Sequence, residues 1–581
     1  MPNSANYSLT PLQRLFRLLH LHRRAINLVL LYAVFIGIIN LSLPLGIQAI
    51  IGLIAGGGIS ASWSLLTLVV LTGLLFSGYL RYLQLSATET MQQQLLADSA
   101  FDFAVRIPHL NLERLRREHL PELVNRFFDT LTLQKSLPKI LIDGSTAVLQ
   151  VALSLLVVSF YHPVFLSFSF VIVILLGLIF WLTFSSGVKT SLVESKYKYK
   201  IAFWLEELGR VANTFKLSGS DHLPLRRTDA LVSGYLDARK KHFRVLLIQF
   251  AGSLTLRLLT VGSFLVMGSL LVMENSLNLG QFVAAEILVL FVVESLEKII
   301  LMMSTLYDVL TASEKLGEFT ELPLEQQTGL RFDEVCGDKK AGLEWQNLGY
   351  RFPDAESPTL SGLNLKIAPG EKIAVAGYNR SGKSTLMQIN SLLVRDFTGS
   401  FLINGLPVNS LQINSLRENI GDMSSQEDIF KGTILENILL GRDISLSHTL
   451  KIVEQISLHS FVQRLPEGLN TEILPGGKGL PGSIKTKILV ARAIVSSPSV
   501  LVLEDPVGNL DYRDRVRISN LLTDKNQGWT MLCVTEDPLL AALCDRVLVL
   551  RDGCIVAAGP FSEIRQTEHF EKIFRVTEPG E

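Results

Sequence analysis

Cysteine is scarce. The 581 residues hold four, Cys336, Cys533, Cys544 and Cys554, all in the C-terminal part. None stands at metal-ligand spacing, which excludes a zinc-knuckle or disulfide scaffold and leaves reduced cytosolic thiols. Net charge is missing too, since 54 Lys and Arg balance 54 Asp and Glu. A neutral chain has no global field to attract nucleic acid, so no such partner is expected. Charged residues make up 19% against 48% apolar, an oily balance that points to membrane spans. The N-terminus shows no signal peptide. Its first long apolar run begins after Arg23 and Arg24 and is long enough to span.

The length excludes one ordinary domain, and the composition changes near Leu322. Before it, apolar runs recur over 26–47, 63–85, 140–160, 163–184, 245–272 and 281–306. Each has the roughly 20 residues that a helix needs to cross about 30 Å of hydrocarbon. The expectation is six transmembrane helices. The links at 56–62, 161–162 and 273–277 are short and lack Lys and Arg, whereas those after the second and fourth runs are long and basic. The positive-inside rule therefore puts the basic links and both termini in the cytosol. Before the first run, Leu12, Leu15, Phe16 and Leu19 share a helical face, with Arg14, Arg17 and His20 off it. This reads as a helix in contact with membrane lipid at the interface, or as a cap on the first span. Asp143, Glu294, Arg257 and Glu286 are costly charges within the runs. Arg257 and Glu286 sit deepest and either line a substrate path or pair between helices.

The sharpest pattern is Gly377-Tyr378-Asn379-Arg380-Ser381-Gly382-Lys383-Ser384-Thr385. Two glycines five apart, then Lys and Ser, form the full phosphate-loop spacing. The apolar run 373–376 upstream reads as a buried strand, and 385–387 opens a helix. Amides around Gly382 and the helix N-terminus attract phosphate. Lys383 supplies a cation to the terminal phosphates, and the Ser384 hydroxyl suits Mg²⁺. ATP with Mg²⁺ is the expected ligand.

From these residues outward, the chain resembles the ABC (ATP-binding cassette) exporters, with a six-helix membrane domain followed by a nucleotide-binding domain. The resemblance implies an all-α six-helix transmembrane domain plus an α/β P-loop NTPase domain. The corresponding bounds are 1–24 for the interfacial helix, 25–321 for the membrane domain, 322–342 for a linker and 343–581 for the cassette. Phe352 stands where the family stacks an aromatic ring on adenine. The segment 432–438, the flanks Gly479 and 491–493, and Leu510-Asp511 match further family stations.

The stations that carry hydrolysis depart from the family pattern. Ser425 stands at the Q-loop position, with Gln426 one residue late. The signature motif reads Leu480-Pro481-Gly482-Ser483-Ile484, where Pro481 removes a hydroxyl and an N–H. The family's Asp-Glu after the next strand is reversed to Glu504-Asp505. Glu504 is one methylene long for the Mg²⁺ shell. Asp505 is one short for the catalytic base, and a displacement of about 1 Å can cost on the order of 10²-fold. Glu536 replaces a histidine and should repel the phosphate which that histidine contacts. The expectation is a cassette that binds ATP and hydrolyses it weakly or not at all.

Such cassettes work in pairs, so a second half-transporter is implied, identical or different. One expectation is an ATP-binding exporter subunit in a membrane of the bacterial inner type. A second is a slow homodimeric polypeptide exporter handing cargo to a periplasmic adaptor, without leader cleavage since no peptidase segment precedes the spans. A third is an ATP-sensing scaffold that transports nothing.

Overall fold

The computed structural model describes residues 9–55, 61–111, 113, 115, 120–325, 327–335, 340–423 and 429–574. Two compact units divide the chain, Met1–Leu324 and Glu325–Glu581.

The first unit is helical. Among the described residues, five helical segments are long and apolar enough to cross a membrane: Arg23–Ile54, Ala61–His109, Leu120–Tyr161, Pro163–Arg210 and His222–Met273. The sixth expected run lies in a continuous helix, Leu279–Thr320, with one face buried along most of its length. Its apolar run carries four charges, Glu286, Glu294, Glu297 and Lys298. Several apolar runs continue into polar helix. Helix His222–Met273 has 52 residues, about 78 Å at 1.5 Å per residue, more than twice the hydrocarbon thickness.

The segment Leu120–Tyr161 is irregular in its middle. Pro138 interrupts the helix Asp129–Lys139, and a wide turn, Ile140–Gly144, precedes the helix Ser145–Tyr161. Proline removes one N–H donor, which frees a carbonyl and widens the turn. Just beyond it, the Thr146 hydroxyl donates to the Ile142 carbonyl at 2.6 Å.

The N-terminal helix Pro11–Leu21 starts at a reciprocal cap, in which Thr10 and Gln13 bond each other's backbone amides. Its Leu12 and Phe16 are exposed, while Arg14 and Leu15 are buried. Arg14 faces protein. It donates to both carboxylate oxygens of Glu321 at 2.9 and 2.6 Å and pairs with Glu314. It passes over Gly317, where an added Cβ would come within 2.3 Å of the Arg14 Cδ. Lys315 and Arg126 both pair with Glu318 beside it. The expected Arg257–Glu286 couple is not the ion pair formed. Arg257 instead bonds Glu297 at 3.3 Å, about three turns beyond Glu286 on the helix Leu279–Thr320.

The second unit is an α/β sandwich. Its main sheet runs β12-β11-β3-β10-β9-β6. The strands are β3 (Lys372–Gly377), β6 (Ile420–Met423), β9 (Val500–Glu504), β10 (Thr530–Val534), β11 (Arg546–Arg551) and β12 (Cys554–Gly559). All neighbours are parallel except β11 and β12. A second, antiparallel sheet orders β2 (Leu360–Ile367), β1 (Leu343–Tyr350), β4 (Thr398–Ile403) and β5 (Leu406–Pro407). A short pair joins β7 (Gly432–Thr433) to β8 (Glu472–Ile473). Parallel strands buried on both faces read as continuous apolar runs, and β3 and β9 do so. Phe332, upstream of β1, is 2% exposed in this unit's core, and its amide donates to the Ser415 hydroxyl at 2.9 Å. Cys533 and Cys544 are buried free thiols and Cys554 is an exposed one, while Cys336 lies outside the described residues.

Candidate functional site

All six residues of β3 are buried. The chain leaves the sheet at Gly377 and re-enters helix at Lys383–Asn390, with Gly382 as the preceding residue at φ 96°. That backbone is left-handed, and an added Cβ would meet Leu360 Cδ2 at 2.6 Å and the Thr359 carbonyl oxygen at 2.9 Å. Only glycine fits. Between them, Ser381 N–H closes a turn on the Tyr378 carbonyl at 3.2 Å. The helix's first amides have no acceptor within the helix, which leaves them available to an anion. Lys383 Nζ donates to the carbonyls of Gly377 at 2.7 Å and Tyr378 at 2.9 Å. Burial pushes its pKa below the usual lysine value, and Glu536 and Glu504 partly restore it.

A cleft of about 1420 Å³ opens over this loop, lined by residues 379–385 together with Glu504, Asp505, Glu536 and Asp537. Glu504 ends β9 and accepts a hydrogen bond from Ser384 Oγ at 2.6 Å, so the longer side chain does reach the loop's hydroxyl. Asp505 turns away from the strand at φ 49°, and its amide donates to the Val534 carbonyl at 2.8 Å. Its carboxylate folds over Gly508, where an added Cβ would stand 2.0 Å from Oδ2. Val534 pairs with Val375 in register, and Thr535 N–H extends the ladder to the Val375 carbonyl at 3.2 Å. Glu536 follows at the rim where the loop leaves β3. Ser425 lies outside the described residues.

The signature segment stands elsewhere in the unit. Left-handed Gly476, Gly477 and Gly479 turn the chain, and Leu480 N–H closes on the Gly477 carbonyl at 3.0 Å. Pro481 then precedes the helix Gly482–Ile494 with no side-chain cap. Its carbonyl accepts from Ile484 and Lys485 at 3.0 and 3.1 Å. Pro481 and Gly482 are exposed, Ser483 is half-buried and Ile484 enters the core. Among the described residues, Leu480 to Ile484 are absent from the phosphate-loop cleft. Phe352 also lies outside its lining and packs edge-on against Tyr350 at 5.0 Å.

Three supporting residues escaped the sequence reading. Asp537 caps the helix Pro538–Leu543, accepting from Leu539 and Leu540 amides at 2.8 and 3.1 Å. Arg515 pairs with it at 3.2 Å. The Asp-Pro pair was a legible helix start. Tyr378 Oη bonds His569 Nδ1 at 3.2 Å across 191 residues, and no local pattern announces that contact.

The ABC transporter family profile matches residues 360–508, from β2 through the loop, signature helix and β9 to Gly508. The C-terminal unit is an ABC transporter nucleotide-binding domain. The cassette follows a helical unit, and the whole chain superposes on the structure of a bacterial Atm1-family ABC exporter with ATP bound. That match has a TM-score of 0.83 and 19% identity and covers 96% of this chain and 99% of that one. Its low identity makes it a likeness of fold. The chain is 25% identical to the alpha-hemolysin translocation ATP-binding protein HlyB of Escherichia coli O157:H7 over 68% of its length and 56% of that protein's. It is 24% identical to the transport/processing ATP-binding protein ComA of Streptococcus pneumoniae over 92% and 74%. The chain spans about half the length of the first curated relatives it matches.

The cassette's loop fits a nucleotide's phosphates. The Gly382 cradle would be filled by any Cβ, and Lys383 is held by two carbonyls that a phosphate can replace. Ser384 and Glu504 offer adjacent hard oxygen donors, suited to Mg²⁺ with its other positions left to phosphate and water. Among the described residues, no three His, Cys, Asp or Glu gather to hold a metal alone.

Proposed function

We propose that this chain is the ATP-binding subunit of an ABC exporter that moves substrate out of the cytosol, with weak or absent hydrolysis of its own. One observation carries the reading. The phosphate-gripping group is assembled, while the base position holds an Asp one methylene short of the family's Glu, its carboxylate over Gly508 on the cleft lining. Gripping needs backbone amides and Lys383. Hydrolysis further needs a carboxylate aimed at water, and removing a positioned general base costs roughly 10²–10⁴-fold. Pro481 at the signature position weakens whichever site it completes across a dimer. The partner is a second cassette-bearing half-transporter. Both termini and the cassette are cytosolic in a bacterial-type inner membrane.

The decisive experiment is ATPase measurement on the natively isolated complex, with its subunits identified by mass. We expect nucleotide binding that Lys383→Ala abolishes and turnover only with a co-purifying second cassette. An absence of nucleotide binding in the wild-type complex would sink the reading.

A second reading has its own support. The relatives named above carry toxin-translocation and transport/processing names. A polypeptide cargo, and a slow homodimer using Glu504 and Asp505 with a periplasmic adaptor, would follow. Turnover by this chain alone, lost in Asp505→Ala, would select it.

A further inference from the structure

No Asp or Glu stands before Glu89. The helix Pro11–Leu21 and the start of the next, Arg23–Asn40, therefore carry cations with no carboxylate of their own. At about 100° per residue the first helix divides into three faces. Arg14 and Leu15 are buried against protein, with Leu18 and Leu19 half-buried beside them. Leu12 and Phe16 form an exposed apolar edge, and Gln13, Arg17 and His20 an exposed polar one. Arg23 and Arg24 follow, also exposed, at a helix start with no side-chain cap and no acidic residue in its first turn.

The arginines divide between two tasks. Arg14 is turned inward to Glu314 and Glu321, and the neighbouring Glu318 is held by Lys315 and Arg126. Among the described residues, Arg17, Arg23 and Arg24 form no ion pair. Protein, apolar edge and basic edge in turn around one helix is the pattern of a helix lying in a membrane interface. The first apolar run begins at Ile26, two residues after Arg24, which sets the cations at the depth of the headgroups. Their charge complements an anionic surface there.

We propose that Arg17, Arg23 and Arg24 bind the headgroups of anionic phospholipids in the cytosolic leaflet, and that this anchorage reaches the last membrane helix through Arg14. Glu314 and Glu321 stand at the end of the helix Leu279–Thr320. A headgroup that fixes the first helix therefore fixes that end too. The inference goes beyond the export reading and is independent of nucleotide.

The test compares the full-length protein in nanodiscs of phosphatidylcholine with and without phosphatidylglycerol. Native mass spectrometry reads which lipid is retained, and hydrogen exchange reads residues 312–321. We expect phosphatidylglycerol to be retained in preference, and the preference to fall by about fivefold for each of Arg17→Gln, Arg23→Gln and Arg24→Gln. Exchange over 312–321 should slow with phosphatidylglycerol in the wild type and not in the triple variant. In phosphatidylcholine alone the triple variant should keep the wild-type thermal midpoint, since none of the three side chains bonds another residue. Equal retention of both lipids, or a preference unchanged in the triple variant, would overturn the proposal. So would a photo-crosslinker in place of Phe16 that captures a protein in the native membrane instead of lipid. Preferential retention with unchanged exchange would overturn the link through Arg14.

Discussion

At the scale of single residues, the cassette's unusual positions are those where backbone or charge leaves no alternative. Gly382 is one. Gly382→Ala would force a Cβ into left-handed backbone and against the Thr359 carbonyl, costing about 1–3 kcal/mol of stability. A lowered thermal midpoint together with weaker nucleotide titration would check it. Lys372 is another. It is 1% exposed, donates to the Trp529 carbonyl and reaches the Gln527 carbonyl at 3.4 Å. Burial pushes its pKa down from 10.5 to about 8. Between these two values the unfolded chain keeps a proton that the folded chain has released. Stability from this group therefore rises with pH across that window, and below it the buried ammonium is a standing cost. Lys372→Met should flatten that rise. The comparison is the thermal midpoint of both proteins in detergent at about pH 7.5 and about pH 10.

At the scale of elements, the first helix is held by charge as much as by apolar contact. Arg14 lies between Glu314 and Glu321 over a glycine. Arg14→Ala would strand two carboxylates and cost roughly 1–3 kcal/mol, read as a lower thermal midpoint. Arg14→Lys should recover only part, because an ammonium cannot donate side by side as the guanidinium does to Glu321. The helices themselves were legible because apolar runs longer than about 20 residues have few other readings. Their true lengths were not, since the polar extensions follow no membrane rule and are stabilised by packing such as the Phe103–Phe319 stack at 3.8 Å. The partner of Arg257 was equally hidden. Glu286 and Glu297 both lie on the Leu279–Thr320 helix, and only packing selects which turn of it the guanidinium reaches.

At the scale of the whole molecule, the chain has two units with separate cores and no net charge. Nucleotide at about 100 times its Kd should stabilise the cassette by about 2.7 kcal/mol. Hydrogen exchange should slow along β3, β9, β10 and the helix Lys383–Asn390, and Lys383→Ala should erase the effect.

The phosphate loop, the apolar runs and the shift near Leu322 were determined by sequence alone, because each is a local pattern whose physics acts within one or two turns or strands. Tertiary structure decided which side chains face each other. Glu504 meets Ser384 through strand register between segments more than a hundred residues apart. Asp505 lies over Gly508 because the chain turns left-handed directly after β9. The reversed Glu504-Asp505 order could be read from the chain. The direction each carboxylate takes could not, because neighbouring strands and turns set it.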